Sequence, residues 1–369
     1  MAKPFLNGSE GSSKLKIDLK SSEVRFALEL ICVGAQLARR VRAETSIRSI
    51  LKPDHSPVTL ADMSIQALAG ALLEKYLPEA VLVAEEDTDH LKAPGGAEDL
   101  EKVTASIRSF FPQATSGDIC RWIQRGQDEP TRTFWTLDPI DGTKGFLRGG
   151  PPSISKELLK EGEARPFSQG GQYVTALALI REGQVELAVI GCPELELQCH
   201  RTLGKGVGIL AARGQGCWAS SLNNMEDPKS WVRLKVSPCQ EINKARVLDS
   251  FDPEHKNSEK DRRIRAGLGI EPAPIVLDSM AKQVVLASGG AEIFFRTLPR
   301  KDPDHREKIW DVAAGALAIE EAGGRVTDLE GGELDFSAGL TLVKNPGLLA
   351  TNGFLHGTVL QALQQEMRS

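Results

Sequence analysis

The order of helices and strands changes near Asp227-Pro228, and this change constrains the fold more than any other feature of the sequence. Before it, apolar runs at residues 173–180, 185–190 and 206–211 follow one another across turns that contain Gly. Strands joined in this way predict an antiparallel sheet. After it, predicted strands and helices alternate, which is typical of an α/β domain. The two halves of the chain are therefore expected to differ in architecture.

The length of the chain agrees with this division. At roughly 150 residues per domain, 369 residues predict about two domains. We expect an α+β domain over residues 1–232 and an α/β domain over residues 233–369. The elements predicted in the second domain are a strand near 246–248, a helix near 258–268, a strand at 275–277, a helix at 279–288, a strand at 291–295 and a helix at 311–322.

Two helices are predicted ahead of the first sheet. Apolar residues recur near helical spacing from residue 21 to about residue 48, without a Pro or Gly cluster. A second helix is predicted from Thr59 to Leu77, because Thr59 and Asp62 have the spacing of a capping box and Pro78 ends the helix. Asp62 is therefore interpreted as a helix-start residue.

Charge and hydropathy argue against several classes of protein. The 45 Lys and Arg residues against 50 Asp and Glu leave a net charge of −5, which gives no general attraction for nucleic acid or an anionic membrane. No apolar run approaches the roughly 18 to 20 residues of a membrane helix, and residues 1–20 lack the apolar region of a signal peptide. We therefore expect a cytoplasmic protein that binds neither nucleic acid nor a membrane.

Two predicted strands, at residues 81–84 and 134–137, end directly in acidic residues. The second is followed by Asp138-Pro139-Ile140-Asp141-Gly142, which predicts a tight turn with both Asp side chains facing one small volume. Mg²⁺ prefers oxygen ligands, so the two carboxylates and the Ile140 carbonyl are candidate metal ligands. The alternative is an Asp-Pro turn in which Asp141 only caps a helix.

A third acidic position is Asp311, at the start of a predicted Ala-rich helix that ends at Gly323-Gly324. One interpretation is a negative charge favoured by the positive end of the helix dipole. The alternative is a further acid in the candidate site, because the small residues 313–315 allow a ligand or another backbone to come close.

Residues 151–170 are rich in Pro, Gly, Lys and Glu and lie between two predicted strands. The stretch exceeds the usual connection length of about 4 to 6 residues. It is either an excursion over the surface or a mobile lid.

Three acidic segments in this order resemble the inositol monophosphatase superfamily of lithium-sensitive, magnesium-dependent phosphatases. They are Val83-Ala84-Glu85-Glu86, Asp138-Pro-Ile-Asp141-Gly-Thr143 and Trp310-Asp311-x-Ala-Ala-Gly315. Within the superfamily the sequence most resembles the 3'(2'),5'-bisphosphate nucleotidases. The segments that carry this likeness are Asp54-His-Ser-Pro-Val-Thr59, Gly142-Thr-Lys-Gly-Phe-Leu-Arg148-Gly, Val189-Ile-Gly-Cys-Pro193, Leu277-Asp-Ser279-x-Ala-Lys282 and Glu307-Lys-Ile-Trp-Asp311. The likeness covers most of residues 21–360.

The resemblance implies a fold and a set of metal ligands. The fold is a layered αβαβα sandwich of the inositol monophosphatase and sugar phosphatase type. Glu85, Asp138 and the Ile140 carbonyl correspond to the ligands of a first Mg²⁺ ion. Asp138, Asp141 and Asp311 correspond to the ligands of a second, with two or three ions per site in all.

The resemblance also implies residues for water and for the phosphate that is cleaved. Asp54 and Thr143 correspond to the pair that orients the attacking water, which agrees with the need for a positioned proton acceptor. The amides of Gly142 and Thr143 are implied to bind the phosphate, as free amides at helix N-termini do. Ala84 departs from the family pattern, which has Gly at that position, and residues 151–170 resemble an insertion.

For the nucleotide half, the resemblance points to His255, Ser279, Lys282 and Arg296 as residues that line an adenosine 5'-phosphate pocket. Arg and Lys are the expected partners of a second, uncleaved phosphate. The alternatives are a solvated helix face for Lys282 and a surface loop for His255.

The activity implied by the resemblance is hydrolysis of the 3'-phosphate of 3'-phosphoadenosine 5'-phosphate to AMP and phosphate, with a place in sulfur assimilation. The sulfated form, 3'-phosphoadenylyl sulfate, is a second candidate substrate. The alternatives are an inositol phosphate 1-phosphatase or monophosphatase and, from another class, a binding protein that senses a nucleotide without catalysis. We expect a monomer that takes a small nucleotide.

Overall fold

The computed structural model describes residues 14–43, 50–51, 57–149, 171–251, 258–298 and 304–368. Predictions for Asp54, His255 and the 151–170 stretch lie outside these residues. The helices are α1 Ser22–Ala43, α2 Leu60–Tyr76, α3 Asp89–Lys92, α4 Ala97–Arg108, α5 Ser116–Gln124, α6 Thr143–Arg148, α7 Ser258–Gly267, α8 Ala281–Ala287, α9 Ala313–Glu321 and α10 His356–Arg368. No helix in these ranges is both long enough and apolar enough to cross a bilayer.

Within the described ranges, the strands form two large sheets and one short pair. The pair is β1 Ile50–Leu51 with β2 Pro57–Val58. The first sheet contains, in order, β3 Leu82–Ala84, β4 Thr133–Asp141, β5 Val174–Arg181, β6 Gln184–Glu196, β7 Lys205–Ala212, β8 Gly216–Ser221 and β9 Val232–Arg233. Only the β3–β4 pair is parallel; the antiparallel sheet predicted from the consecutive strands is confirmed from β4 onward.

The second sheet has a mixed topology. Its strands are β10 Val247–Ser250, β11 Ile275–Leu277, β12 Ile293–Arg296, β13 Arg325–Thr327 and β14 Leu348–Thr351, in the order β11-β10-β12-β14-β13. β10 pairs in parallel with β11 and β12, while β14 runs antiparallel to β12 and β13. The alternation of strands and helices predicted for this half of the chain is found.

The helices separate and cover the sheets in five layers, α, β, α, β and α. Helices α1 and α2 pack on one face of the first sheet, and α9 packs on its other face. Helices α8 and α9 also contact the second sheet, whose far side is covered by α7 and α10. Three clusters of buried apolar residues fill the spaces between layers. The layered αβαβα sandwich implied by the resemblance is therefore confirmed.

The predicted start of α2 is confirmed in atomic detail. The Thr59 backbone N–H donates to Asp62 Oδ2 at 2.8 Å, and the Thr59 hydroxyl accepts from the Ala61 N–H at 3.1 Å. This arrangement satisfies amides that the first turn of a helix otherwise leaves without partners. Asp62 is 1% exposed. The capping interaction therefore places a buried carboxylate in the first turn of α2.

Candidate active site

Asp138 and Asp141 lie within strand β4, not in the tight turn that the local sequence predicted. Asp138 pairs with Ala176 of β5 and Asp141 pairs with Val174, so three steps along β4 match two along β5. This extra residue is a β-bulge, which is where a strand accommodates Pro. In a regular strand, residues three apart face opposite sides, whereas the bulge returns Asp141 to the face of Asp138. The bulge therefore brings both carboxylates to one side of the sheet.

The parallel pairing of β3 with β4 brings Glu85 beside this pair. Ala84 lies opposite Leu137, so the next residues in the register are Glu85 and Asp138. The buried side chain of Gln66, on α2, fixes this strand end: its Oε1 accepts from the Glu86 N–H at 2.9 Å and its Nε2 donates to the Ile123 carbonyl at 3.0 Å. The sequence analysis did not predict this role of Gln66. The only sign of it in the sequence is that Gln66 is a polar residue within a largely apolar helix.

Asp311 reaches the same site from the second half of the chain. It lies in a 3₁₀ turn, Ile309–Asp311, that packs against β4 and β5, and α9 begins only at Ala313. At Gly315 the close neighbour is a side chain and not the ligand or backbone that the small residues predicted: an added Cβ would lie 1.4 Å from Gln283 Oε1. A larger residue at this position would require the Gln283 side chain of α8 to move.

The carboxylates of this cluster repel one another in a poorly solvated space. Asp138 is 2% exposed, and burial raises its pKa well above its usual range. The negative charges of Glu85, Asp141, Asp311 and Asp62 raise that pKa further. The pKa of Asp311 is also raised well above its usual range, by burial and then by Asp141 and Glu85. The cluster favours a species that brings positive charge, which is either a proton or a metal ion.

The donor atoms fit a hard cation such as Mg²⁺. They are carboxylate oxygens, and the buried Oδ1 of Asp138 has no hydrogen-bond partner. Within the described ranges, no three His, Cys, Asp or Glu side chains already stand at metal-ligand spacing. Asp141 Oδ2 instead accepts a hydrogen bond from the Met280 N–H. The side chains would therefore have to turn inward to hold an ion.

Gly142 joins the two halves of the site. Its φ of +88° lies in the left-handed region, and an added Cβ would lie 2.8 Å from the Ser279 Cβ and 3.1 Å from the Gln172 carbonyl. Ser279 itself has a φ of +61°, which is uncommon for a residue with a side chain. This close contact brings the segment before α8 against the end of β4.

Thr143 begins α6 directly after Gly142. Its hydroxyl donates to the Ile140 carbonyl at 3.0 Å. Helix α6 contacts β2, which begins three residues after Asp54. The hydroxyl thus contacts directly the carbonyl that the resemblance assigns to a metal ion.

Lys282 and Arg296 form a cationic pair beside the carboxylates. Lys282 is 3% exposed, which excludes the alternative of a solvated helix face, and its Nζ donates to the Leu277 carbonyl at 3.3 Å. Burial, and next the charge of Arg296, lower the pKa of Lys282 to about 8. Arg296 forms an ion pair with the buried Glu307. Both cations lower the pKa of Asp141, although burial still keeps it above its usual range.

The family of the protein follows from its sequence. The chain matches the model of the Inositol monophosphatase family over residues 20–368, which is nearly its whole length. The chain belongs to the inositol monophosphatase family. Its relatives in that family include a 3'(2'),5'-bisphosphate nucleotidase of Oryza sativa, 34% identical over 370 residues that cover 94% of this chain and 95% of the relative. A 3'(2'),5'-bisphosphate nucleotidase of Schizosaccharomyces pombe is 32% identical, covering 87% of this chain and 88% of the relative.

Solved structures of the inositol monophosphatase family share the fold. An IMPase of Thermotoga maritima superimposes with a TM-score of 0.59 at 17% identity, covering 94% of this chain and 98% of that one. An IMPase/NADP phosphatase complexed with Mg²⁺ and phosphate gives a TM-score of 0.53 at 19% identity, covering 90% and 93%. The resemblance stated from the acidic segments is thereby confirmed at the level of family and fold.

Proposed function

We propose that this chain is a 3'(2'),5'-bisphosphate nucleotidase that hydrolyses the 3'-phosphate of 3'-phosphoadenosine 5'-phosphate to AMP and phosphate with Mg²⁺. The observation that carries the proposal is the cationic pair of buried Lys282 and half-buried Arg296, placed within electrostatic range of Asp141. A phosphatase for a monophosphate has no need of a second buried anion site. A bisphosphate supplies a second anion for it. The names of the curated relatives support the same substrate.

The proposed metal ligands are those implied by the family. Glu85, Asp138 and the Ile140 carbonyl would hold one ion, and Asp138, Asp141 and Asp311 would hold another. When bound, Mg²⁺ supplies Lewis acidity to the phosphoryl oxygens and lowers the pKa of water. Asp138 belongs to both sets, and its unpartnered Oδ1 leaves an acceptor for this purpose.

Thr143, with Asp54, is proposed to orient the water that attacks phosphorus. The Thr143 hydroxyl accepts from that water and donates to Asp54, so the donor must turn away from the Ile140 carbonyl that it contacts here. The Gly142 and Thr143 amides are proposed to bind the phosphate that is cleaved, because α6 leaves its first amides without helical partners. As the bond from phosphorus to the 3' oxygen breaks, that oxygen takes a proton and leaves as the hydroxyl of AMP.

Ser279, Lys282 and Arg296 are proposed to hold the 5'-phosphate, together with His255. Of the two cations, Lys282 is the stronger candidate for contact with this phosphate. Its lowered pKa shows that its charged form is destabilised in the fold, and an anionic partner would stabilise that form. The same anion site is proposed to accept the phosphosulfate of 3'-phosphoadenylyl sulfate. A cytoplasmic monomer that acts in sulfur assimilation and is sensitive to lithium remains our prediction.

The test is phosphate release by the purified full chain, with Mg²⁺ and with EDTA. We expect release from 3'-phosphoadenosine 5'-phosphate that needs Mg²⁺ and exceeds release from inositol 1-phosphate. A preference for inositol 1-phosphate would contradict the substrate assignment and favour an inositol phosphate phosphatase. Tight nucleotide binding without release under any metal condition would contradict catalysis and favour a binding protein.

A further inference from the structure

Arg148 and Phe251 form a stacked pair at the edge of the proposed site. The guanidinium carbon of Arg148 lies 4.1 Å from the centroid of the Phe251 ring, a close cation–π contact. Arg148 is the last residue of α6, the helix that begins at Thr143, and Phe251 directly follows β10. The pair therefore connects the helix after the Asp138–Asp141 strand with the second sheet.

An ion pair fixes the orientation of the guanidinium. Arg148 Nη2 donates to Asp278 Oδ2 at 2.8 Å, and the Asp278 side chain is 8% exposed. Asp278 directly precedes Ser279 and lies within electrostatic range of Lys282. The stacked pair is thus close in the fold to the residues that we propose bind the 5'-phosphate.

The pair has two features that its internal contacts do not explain. Arg148 Nη1 is buried and has no hydrogen-bond partner, although guanidinium donors almost always find one. Phe251 is 36% exposed, which makes it one of few large apolar side chains at the surface of the described residues. An accessible aromatic ring that a fixed guanidinium holds beside the proposed anion site indicates a contact surface for a planar ligand.

We propose that Phe251, held in place by Arg148, is the stacking platform for the purine base of the substrate. This proposal rests on the proposed function and adds to it the residues that select a nucleotide over a phosphorylated polyol. Aromatic rings bind bases by stacking, and an adjacent Arg strengthens such a site. Inositol has no aromatic face that could use the platform.

The test compares two substrates that differ only in the base. They are 3'-phosphoadenosine 5'-phosphate and its abasic tetrahydrofuran analogue, which carries the same two phosphates. Phe251→Leu keeps apolar bulk and removes the ring, so kcat/KM should fall about 10- to 100-fold on the nucleotide and hardly at all on the analogue. Phe251→Tyr should keep nearly full activity. Phe354→Leu replaces another exposed Phe and should leave kcat/KM unchanged on both substrates.

Arg148→Lys keeps the charge and the pairing with Asp278 but removes the planar group. It should lower kcat/KM for the nucleotide more than for the analogue. Equal losses on the two substrates, for either variant, would overturn the platform and leave the proposed function intact.

A wild-type protein that cleaves neither substrate would contradict the proposed function instead. Binding of etheno-AMP then decides about the platform, because stacking on an aromatic ring quenches its fluorescence. Quenching that is lost in Phe251→Leu and kept in Phe251→Tyr would support the platform. Equal quenching in wild type and Phe251→Leu would overturn it.

Discussion

The carboxylate cluster at the end of the first sheet and the cationic pair beside it have opposite electrostatic problems. Burial and like charges raise the pKa of Asp138, while burial and Arg296 lower the pKa of Lys282 to about 8. Each group is destabilised in its charged form by its own neighbours. The two regions neutralise each other only in part, at Asp141. The comparison teaches that each region gains from a partner from outside: cations for the carboxylates and an anion for Lys282, since Arg296 already pairs with Glu307.

The two regions also differ in how the chain builds them. Glu85 directly follows β3, while Asp138 and Asp141 lie on the neighbouring strand β4; strand register and one bulge determine their placement. Lys282 and Arg296 lie on separate elements of the second half, α8 and β12; packing between layers buries Lys282 and leaves Arg296 half-buried. We therefore expect the first region to govern the rate of the reaction and the second to govern the choice of substrate.

The largest effect should follow from a change in the carboxylate region. Asp138→Asn removes a charge shared by both proposed ions, so kcat/KM should fall at least about 1,000-fold on every substrate. Thermal unfolding in EDTA should show a variant no less stable than wild type, because the repulsion among the carboxylates is reduced. Full activity of this variant, or full wild-type activity in EDTA, would contradict the assignment of Asp138 as a metal ligand.

The next effect separates rate from binding within the first region. Thr143→Ala and Asp54→Asn should each lower kcat about 100-fold, since water is oriented only on the way to the transition state. AMP binding, measured by calorimetry, should stay within about twofold. Thr143→Ser keeps the hydroxyl and serves as the matched control. An unchanged kcat with a raised KM would show that the proton acceptor is placed wrongly.

A smaller effect is expected from disturbing the contact between the two regions. Gly142→Ala introduces a Cβ 2.8 Å from Ser279 at a φ of +88°, so overpacking and strain should lower the free energy of unfolding by about 2 to 4 kcal/mol. Gly214→Ala is the matched control, since Gly214 has a φ of +72° with nothing within 4 Å. It should cost about 1 kcal/mol. Equal unfolding free energies for the two variants would contradict the prediction that the contact of Gly142 with Ser279 limits the size of the residue at position 142.

The smallest effect concerns pH and the second region. Lys282 is charged below a pKa of about 8 and neutral above it. Between pH 7 and pH 9 the charged fraction falls about tenfold, so KM for the bisphosphate nucleotide should rise by about that factor. KM for inositol 1-phosphate should not show this rise, and Lys282→Arg should abolish it. The same pH dependence of KM in both substrates would assign the titration to another group.

Local signals predicted part of this molecule well. Thr59 with Asp62 predicted the start of α2, and the acidic ends of two apolar runs predicted where Glu85 and Asp138 lie. Asp138-Pro139-Ile140-Asp141 predicted a turn because Pro and Gly favour one locally. The pairing of this segment with β5, which begins only at Val174, makes it a bulged strand instead. Such long-range pairing leaves no mark in the segment itself.

Sequence patterns could not predict the contacts that hold the residues of the site in place. The Gln66 side chain binds the backbone at Glu86 because α2 packs beside β3, and Arg148 meets Phe251 across two layers. Such contacts depend on how whole layers pack. The helices α4 and α5 were also not predicted, although Thr115 and Asp118 have the capping-box spacing that begins α5.

The most direct measurement of the central claim is kcat/KM of Lys282→Met on two substrates, 3'-phosphoadenosine 5'-phosphate and adenosine 3'-monophosphate. The two differ only in the 5'-phosphate, and Met preserves the buried volume of the side chain. A lost charge-assisted contact of roughly 1.5 to 3 kcal/mol predicts a fall of about 10- to 100-fold on the bisphosphate and less than about twofold on the monophosphate. Equal falls on both substrates would contradict the claim that the cationic pair selects the second phosphate.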